Sequence, residues 1–321
     1  MIGRARAAHA ALLACATLAS HVHAATGDDF SARLDALWDF GAPAVSEARF
    51  RAAHAKAAPR SREAYEASTQ LARSLGLQRK FAAADTELDR VLAALDAQPP
   101  RVRVRYLLER GRVRNSSGSP EQAVPLFKDA LAASARDTLP GADFYGVDAL
   151  HMLGIAAPAA EQLDWNLKAL AAADASADAR ARGWRASLLN NIGWTYHDRG
   201  DYKAALDVWQ KALAAREAAG DAVQIRVARW TVARGLRSLR RLDEAEAIQN
   251  ALARDMETTA AGDGYVYEEL AEIALARSDA AAAKRWAAKA YALLKDDGGL
   301  KAGEPERLAR LAKIGGVEVV R

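Results

Sequence analysis

The chain has 321 residues, of which 51% are hydrophobic and 27% are charged. This is the composition of a folded globular protein, and it excludes a disordered chain. The formal net charge is +4, and it falls to +2 when Arg4 and Arg6 are set aside, which is too little to predict nucleic-acid binding. Because the apolar share is rich in alanine, the strongest helix former, the composition predicts an all-α fold.

The N-terminal segment 1–24 has the pattern of an export signal. Arg4 and Arg6 form a short basic region, an apolar stretch follows from Ala10 to Ser20, and Val22-His23-Ala24 precedes the expected cleavage. The pattern predicts a periplasmic protein. The alternative is a cytoplasmic protein in which this segment is an N-terminal helix.

Cys15 is the single cysteine of the chain. It follows Leu12-Leu13-Ala14, which resembles the lipid-attachment box of bacterial lipoproteins, so lipidation at Cys15 is a second alternative. In the other reading it is an apolar residue of the signal. One cysteine excludes an intramolecular disulfide and a zinc-thiolate cluster.

The stretch from Leu188 to Ala219 reads as a helix, a tight turn and a second helix. Six of its residues fall at the positions of the pattern W-x-x-L-G-x-x-Y followed by A-x-x-x-F: Leu189, Ile192, Gly193, Tyr196, Ala205 and Trp209. The stretch therefore resembles a tetratricopeptide repeat. Since one such repeat cannot bury its apolar face alone, the resemblance implies a right-handed superhelical solenoid of antiparallel helix pairs.

The small residue of each predicted first helix lies twelve positions before a small residue of the next helix. This spacing occurs at Ala72 and Ala84, Gly111 and Ala123, Gly193 and Ala205, Ala233 and Ala245, and Ala271 and Ala283. Each second helix continues the stripe at i+4 and i+7, with Gln249 as a polar exception. The pattern predicts one array over residues 25–321, with about seven helix pairs. Its spacing of about forty residues resembles the longer tetratricopeptide variants of bacterial regulators and kinesin light chains.

One unit, near residues 143–173, departs from this spacing. Gly154 precedes Gln162, the aligned position of the second helix, by eight residues, and Pro158 lies between them. We expect either a shortened turn or a kink that opens a pocket. The neighbouring stretch from Asp137 to Gly146 reads as a linker that is either a lid or slack.

Both ends of the array read as caps. Leu34 and Ser46 repeat the twelve-residue spacing in a degenerate first pair. A short final helix from Glu304 to Ile314 is indicated by Pro305 in its first turn and Gly315 after its end.

In tetratricopeptide arrays the first helices line a concave groove, so the resemblance implies a ligand surface on their non-packing sides. In the predicted register these residues are Arg73, Arg105, Arg112, Asn115, His151, Asn190, Trp194, His197, Trp230, Arg234 and Arg237. Arginine suits carboxylates and tryptophan supplies flat apolar area, which together predict an extended peptide with acidic groups. Glu268, Glu269 and Glu272 predict an acidic end of the groove. The alternatives are solvated helix faces and packing between repeats.

Known catalytic signatures are missing from the sequence. There is no H-E-x-x-H, G-x-S-x-G or phosphate-binding glycine loop, and His54, His151 and His197 have no metal-ligand spacing. We therefore predict no enzyme, no cofactor and no metal. The predicted function is a non-enzymatic protein- or peptide-binding scaffold of the bacterial cell envelope that contacts a membrane only through a lipidated Cys15. The alternative is a cytoplasmic regulator that binds a peptide or small ligand in its groove.

Overall fold

A computed structural model describes residues 30–259 and 263–318, in which the regular elements are α-helices and one 3-10 turn, with no strand in these ranges. The predicted all-α fold of antiparallel helix pairs is confirmed. The export segment, its cleavage site and Cys15 lie outside the described residues. Across the two described ranges, no helix is both long and apolar enough to span a membrane.

The chain divides into two compact units, and the boundary between them along the chain lies between Asn191 and Ile192. The helices of the first are α1 Phe30–Asp35, α2 Pro43–Lys56, α3 Arg62–Leu77, α4 Phe81–Leu92, α5 Pro100–Ser116, α6 Pro120–Ser134, α7 Ala142–Ala156, α8 Ala159–Ala175 and α9 Ala179–Arg182. Helix α10 Arg185–Asp198 crosses the boundary. The second continues with α11 Tyr202–Ala219, α12 Ala222–Ser238, α13 Leu242–Thr259, α14 Gly264–Ala276, α15 Ala280–Leu294, α16 Gly298–Gly303 and α17 Pro305–Gly315.

Five pairs of helices are joined by the same three-residue turn. Its middle residue has a positive φ in every case: Arg79, Gly118, Gly200, Arg240 and Ser278. The following amide donates to the carbonyl five residues earlier, as from Asp201 to Tyr196 at 3.0 Å, which closes the helix end in a Schellman motif. Arg79, Arg240 and Ser278 therefore hold a left-handed backbone, which is less favourable for a residue with a Cβ atom than for glycine.

The twelve-residue spacing marks where paired helices touch, and the small residues of this register are buried. A Cβ atom at Gly111 would overlap the ring of Phe127, and one at Gly193 would overlap Trp209. Where the first helix has alanine instead, as at Ala72, the corresponding residue sixteen positions later is smaller, as at Leu88. Small and large residues thus alternate across each pair so that the helices interdigitate.

The irregular unit near residues 143–173 has a shortened turn, which is one of the two alternatives that the sequence left open. Helices α7 and α8 are joined by Ala157 and Pro158 alone, and Ala157 is in an extended conformation. Asn166, four residues after Gln162, is buried against Gly154 and donates to its carbonyl at 3.1 Å. Asn166 therefore occupies the position of Trp209, and one helical turn is lost between the paired positions.

The linker before α7 is shorter than the sequence predicted, because α7 begins at Ala142 and takes in its second half. Arg101 contacts its first half. This arginine is fully buried and pairs with Asp137, and it donates to the carbonyls of Leu139 at 3.0 Å and Pro140 at 2.8 Å. These contacts hold the segment against α5 and contradict its description as slack.

Short helices lie at both ends of the described residues. Leu34 and Ser46 are buried at the first end. At the other end, α17 begins at Pro305 and stops at Gly316, whose φ is 64°. The short helices α9 and α16 have no apolar period in the sequence and were missed.

Candidate functional site

In the unit 30–191 the first helices α3, α5 and α7 contact one another and form one layer. A cavity of about 50 Å³ lies on this layer. The segment after α1 and the residue before α10 form its other walls. Its walls are both aromatic and charged: Asp35, Trp38, Phe40, Gln70, Arg73, Arg105, Leu108, Glu109, Phe144, Tyr145, Asp148 and Trp184. Two predicted site residues, Arg73 and Arg105, line this cavity.

Arg105 is fully committed to contacts within the protein. It is 2% exposed and pairs with Asp35 at 2.9 Å and Glu66 at 3.0 Å, and it donates to the Tyr145 hydroxyl. Burial disfavours the charge, but Asp35, Tyr145 and Glu66 outweigh it and raise the pKa of Arg105 above its ordinary value. Arg105 therefore holds the floor of the cavity together and is occupied structurally.

Arg112 lies two turns further along α5 and is likewise paired. It donates to Glu109 at 2.7 Å and to Asp148. Since Glu109 and Asp148 both line the cavity, Arg112 fixes the position of two acidic walls. The carboxylates of Glu109 and Asp148 are themselves only 2% and 3% exposed.

Arg73 differs from these two arginines. Its guanidinium lies 5.2 Å from the ring centroid of Trp38 and 5.3 Å from that of Phe40, and the two rings stack with 4.7 Å between centroids. Its carboxylate neighbour is Glu109 at 3.8 Å, and Arg73 makes no hydrogen bond to any residue in the described ranges. The aromatic rings therefore orient Arg73 while its N–H groups keep their hydrogen-bonding capacity.

Two further polar atoms of the cavity walls are buried without a hydrogen-bond partner in the described part of the chain. They are Oε2 of Glu109 and the indole Nε1 of Trp184. Trp184 is 1% exposed and packs between Phe144 and His151, with centroids 6.2 Å and 4.6 Å away. Glu109 and Trp184 border the cavity, while these two atoms are themselves closed off from solvent.

His151 was predicted on the ligand surface, but it is fully buried beneath Trp184. Its Nδ1 lies 3.3 Å from Nδ2 of Asn191, and burial lowers its pKa to about 4. A neutral ring that fills the core is the physical outcome of this placement. Asn115 and Asn190 are half-buried on α5 and α10, and neither lines the cavity.

The remaining predicted residues lie in the unit 192–318. Trp194 and Trp230 are half-buried, with centroids 6.3 Å apart, and Arg234 lies over both rings at 5.4 Å and 5.7 Å. We call Trp194, Trp230 and Arg234 the tryptophan face. His197 supports it from behind, between Trp194 at 5.6 Å and Trp209 at 5.5 Å, with its Nε2 2.9 Å from the Ser238 hydroxyl.

The acidic residues expected at one end of a groove instead pair with arginines. Arg234 and Arg237 both donate to Glu269, which is 1% exposed, and Arg237 does so at 2.7 Å. Glu268 pairs with Arg307, and Glu272 pairs with Arg310. Burial alone would raise the pKa of Glu269, but Arg234 and Arg237 lower it below its ordinary value. The acidic and basic side chains are therefore interleaved, and they do not form separate basic and acidic regions.

Sequence reasoning missed Trp38, Glu109, Asp148 and Trp184. Trp38 and Trp184 lie in connecting segments, where helical periodicity carries no signal. For Glu109 and Asp148 a signal exists, because opposite charges recur about one repeat apart: Arg112 with Asp148, Arg101 with Asp137, Arg234 with Glu269, Glu268 with Arg307, and Glu272 with Arg310. Pairing charges at the repeat distance would have placed them.

Within residues 30–259 and 263–318, no cluster of three or more histidine, cysteine, aspartate or glutamate side chains has the arrangement of a metal site. The cavity and the tryptophan face present hydrogen-bonding groups, ion pairs and aromatic rings.

Comparison with known proteins agrees with this fold. The tetratricopeptide repeat family model matches residues 185–219. No curated protein matches the sequence. Among solved structures, RapI in its apo form is similar with a TM-score of 0.62, at 8% identity over 89% of this chain and 87% of that one. NprR in complex with its cognate peptide NprX is similar with a TM-score of 0.56, at 14% identity over 92% of this chain and 86% of that one. BtubC from P. vanneervenii is similar with a TM-score of 0.53, at 16% identity over 74% and 94%.

Proposed function

We propose that this chain, a tetratricopeptide-repeat protein, is a non-enzymatic scaffold that binds an extended peptide segment of another protein on its tryptophan face. The single observation that carries the proposal is the pair of half-buried tryptophans, Trp194 and Trp230, held 6.3 Å apart with Arg234 over both. Tryptophan and arginine are the residues that contribute most to binding energy at protein interfaces. NprR, which has a similar fold, is known in complex with a peptide.

The pairing of charges determines which kind of peptide segment the tryptophan face can bind. Glu269 offsets one of the two positive charges of Arg234 and Arg237, so the face keeps only a small net attraction to an acidic segment. Contact with the rings of Trp194 and Trp230 supplies most of the binding energy, so the segment carries an apolar or aromatic side chain at this point. Acidic groups in the segment contribute at the rim.

The proposal is tested by photocrosslinking. A photoreactive phenylalanine analogue replaces Trp194 in the full chain, and the matched control carries it at Lys211, which is exposed on the second helix of the same pair. We expect a discrete crosslinked partner from position 194, absent from position 211, and lost when Trp230→Ala is added. Identical products from both positions, or products indifferent to Trp230→Ala, contradict the proposal.

For the location in the cell, we propose the periplasm, supported by the sequence pattern of residues 1–24. N-terminal sequencing of the protein purified from its own cells is the test. A mature chain that starts at Ala25 supports export, an intact Met1 contradicts it, and an acylated Cys15 replaces it with a membrane anchor.

A further inference from the structure

Residues 30–40, which we call the crossing segment, lie across the layer of first helices in the unit 30–191. The segment consists of α1 and part of the turn that follows it. Its Asp35 accepts hydrogen bonds from Arg105 on α5 at 2.9 Å and from the Tyr145 hydroxyl on α7 at 3.1 Å. Asp35 also pairs with Arg180 on α9 at 3.4 Å. One side chain thus contacts three helices whose residues follow it by 70 to 145 positions.

These contacts are unusual for a solenoid, in which each helix pair packs against its neighbours. Helices α1 and α2 form the first pair, and their neighbours in the array are α3 and α4. A simple end cap would therefore contact α3 and reach no further. Because Asp35 reaches α5, α7 and α9, the crossing segment does more than cap the array. It covers part of the first-helix layer.

The covered side of these helices is the side that the sequence predicted as a ligand surface. Arg105, one of the predicted residues, donates to the carbonyl of Ser31 at 3.2 Å. Arg73, another of them, lies 5.2 Å and 5.3 Å from the ring centroids of Trp38 and Phe40. The crossing segment therefore takes the place on these helices that was expected for a bound peptide.

The contacts of the segment are also those of a bound peptide. The indole N–H of Trp38 donates to Oε1 of Gln70 at 3.0 Å, and Trp38 is 8% exposed. The Ser31 hydroxyl donates to Glu66 at 2.7 Å. A buried aromatic anchor with hydrogen bonds and ion pairs around it is typical of the residues that dominate binding at protein interfaces. The chemistry that this surface recognises is thus an acidic residue, Asp35, with aromatic residues three and five positions later.

Three features make the crossing segment displaceable. Helix α1 has six residues, whereas an isolated helix needs about 12 to 15 to persist in water. The ion pair of Asp35 with Arg180 is 19% and 27% exposed, which weakens it. The cavity of about 50 Å³ has Asp35, Trp38 and Phe40 among its walls, together with residues of α3, α5 and α7, so the segment fills the space above these helices incompletely.

We propose that the surface of α3, α5 and α7 beneath the crossing segment is a second peptide-binding site, which this segment occupies as an internal ligand. The partner is a segment of another protein that carries an acidic residue with aromatic residues three and five positions later, and it binds by displacing residues 30–40. Because the internal ligand is tethered, it competes at an effective concentration on the order of millimolar. The site shares no residue with the tryptophan face, so either proposal stands if the other fails.

The first test measures, by fluorescence anisotropy, how a labelled peptide with the sequence of residues 30–41 binds to the full chain. Trp38→Ala in the chain removes the aromatic anchor of the internal competitor, so this variant should bind the peptide at least about tenfold more tightly than the unmodified chain. The matched control is Trp286→Ala, at a half-buried tryptophan of the unit 192–318, which should bind as the unmodified chain does. Equal affinities of the unmodified chain and Trp38→Ala contradict the proposal, as does a Trp38→Ala chain that is not saturated at about 1 mM peptide.

The second test changes the peptide. Asp35→Asn or Trp38→Ala in the peptide should weaken its binding to the Trp38→Ala chain at least about tenfold, whereas Ala36→Ser, at an exposed position of the segment, should have no effect. If all these peptides bind equally, recognition does not depend on Asp35 and Trp38. Adding Trp230→Ala to the chain should leave the affinity unchanged, and a loss of binding would place the peptide on the tryptophan face instead.

Hydrogen exchange of the unmodified chain covers the case in which Trp38→Ala fails to fold. The amides of Ala36, Leu37 and Trp38 donate hydrogen bonds within the crossing segment. In a ¹⁵N-labelled chain saturated with unlabelled peptide, these amides should exchange at least about tenfold faster, while amides of α5 stay protected. Unchanged exchange of residues 36–38 in the saturated chain contradicts displacement.

Analytical ultracentrifugation of the unmodified chain separates a partner protein from a second copy. We expect a monomer over the concentrations used for binding. A concentration-dependent dimer whose residues 36–38 stay protected from exchange would mean that two copies exchange their crossing segments, and it would overturn the proposal.

Discussion

The two units place charge on their first helices in different ways. In residues 30–191 the ionic groups are inside the protein: Arg105 and Glu109 are each 2% exposed and Glu66 is fully buried. In residues 192–318 the arginines Arg234 and Arg237 keep 15% and 20% of their side-chain surface in solvent. A fully enclosed arginine network thus occurs in one unit, whereas in the other two partly exposed arginines share the buried carboxylate of Glu269. The contribution of ionic contacts to stability depends on whether they are buried or exposed to solvent more than on how many there are.

The largest contrast is expected from removing one arginine of each unit. Arg105→Met leaves Glu66 and Asp35 without their buried cation and should destabilise the protein by about 3 to 5 kcal/mol. Arg234→Met should cost only about 1 kcal/mol, because Arg237 still pairs with Glu269. Urea unfolding of both variants measures the two losses. Equal losses would mean that burial does not distinguish the units.

The buried network also predicts a pH dependence centred on His151. Its pKa is about 4 when folded, because burial disfavours the charged ring, against an unfolded value of about 6.5. The unfolded state binds the proton first, so stability is complete above pH 6.5 and is lost as the pH falls towards 4, by about 3 kcal/mol. Unfolding free energies at several pH values test this. His151→Phe should flatten the slope between pH 6.5 and pH 4, and an unchanged slope would contradict the assignment.

A third contrast concerns one helical glycine from each unit. Gly193→Ala drives a methyl group into the Trp209 ring and should destabilise by about 1 to 3 kcal/mol. Gly76→Ala meets its nearest atom, on Val113, at 3.7 Å, so better helix propensity should stabilise by about 0.5 to 1 kcal/mol. Melting midpoints of the two variants should move in opposite directions. A neutral Gly193→Ala would mean that the helices pair in another register.

A fourth contrast comes from two buried amides at equivalent positions. Gln249 is fully buried with neither amide atom bonded within the described ranges, so Gln249→Leu should stabilise by about 1 to 2 kcal/mol. Asn166 donates to the carbonyls of Gly154 and Gln162 at 3.1 Å and 2.9 Å, so Asn166→Leu should destabilise by a similar amount. Chemical denaturation reports the sign of each. If both substitutions stabilised the protein, the expected difference between Gln249 and Asn166 would be wrong.

The sequence predicted the helix pairs because close helix contacts leave a period of small residues, such as Gly111 and Ala123. It did not predict the left-handed backbone at Arg79, Arg240 and Ser278, since the Schellman hydrogen bonds impose that conformation against side-chain preference. The cavity was beyond reach for a different reason. It joins Trp38, Glu109 and Trp184 from segments far apart in the chain, and only folding brings them together. Of the predicted ligand residues, Arg73 lines it with unused donors.

The fit of small against large residues in each pair also sets which helices can be partners while the chain folds. The first helix with Gly193 accepts the indole of Trp209, whereas the first helix with Ala72 has room only for a side chain such as Leu88. A helix that docked on the wrong repeat would meet either a steric clash or a void. Side-chain volume therefore helps to determine the order in which the repeats pack. Chains in which repeats have exchanged places should keep their helices but lose cooperative unfolding.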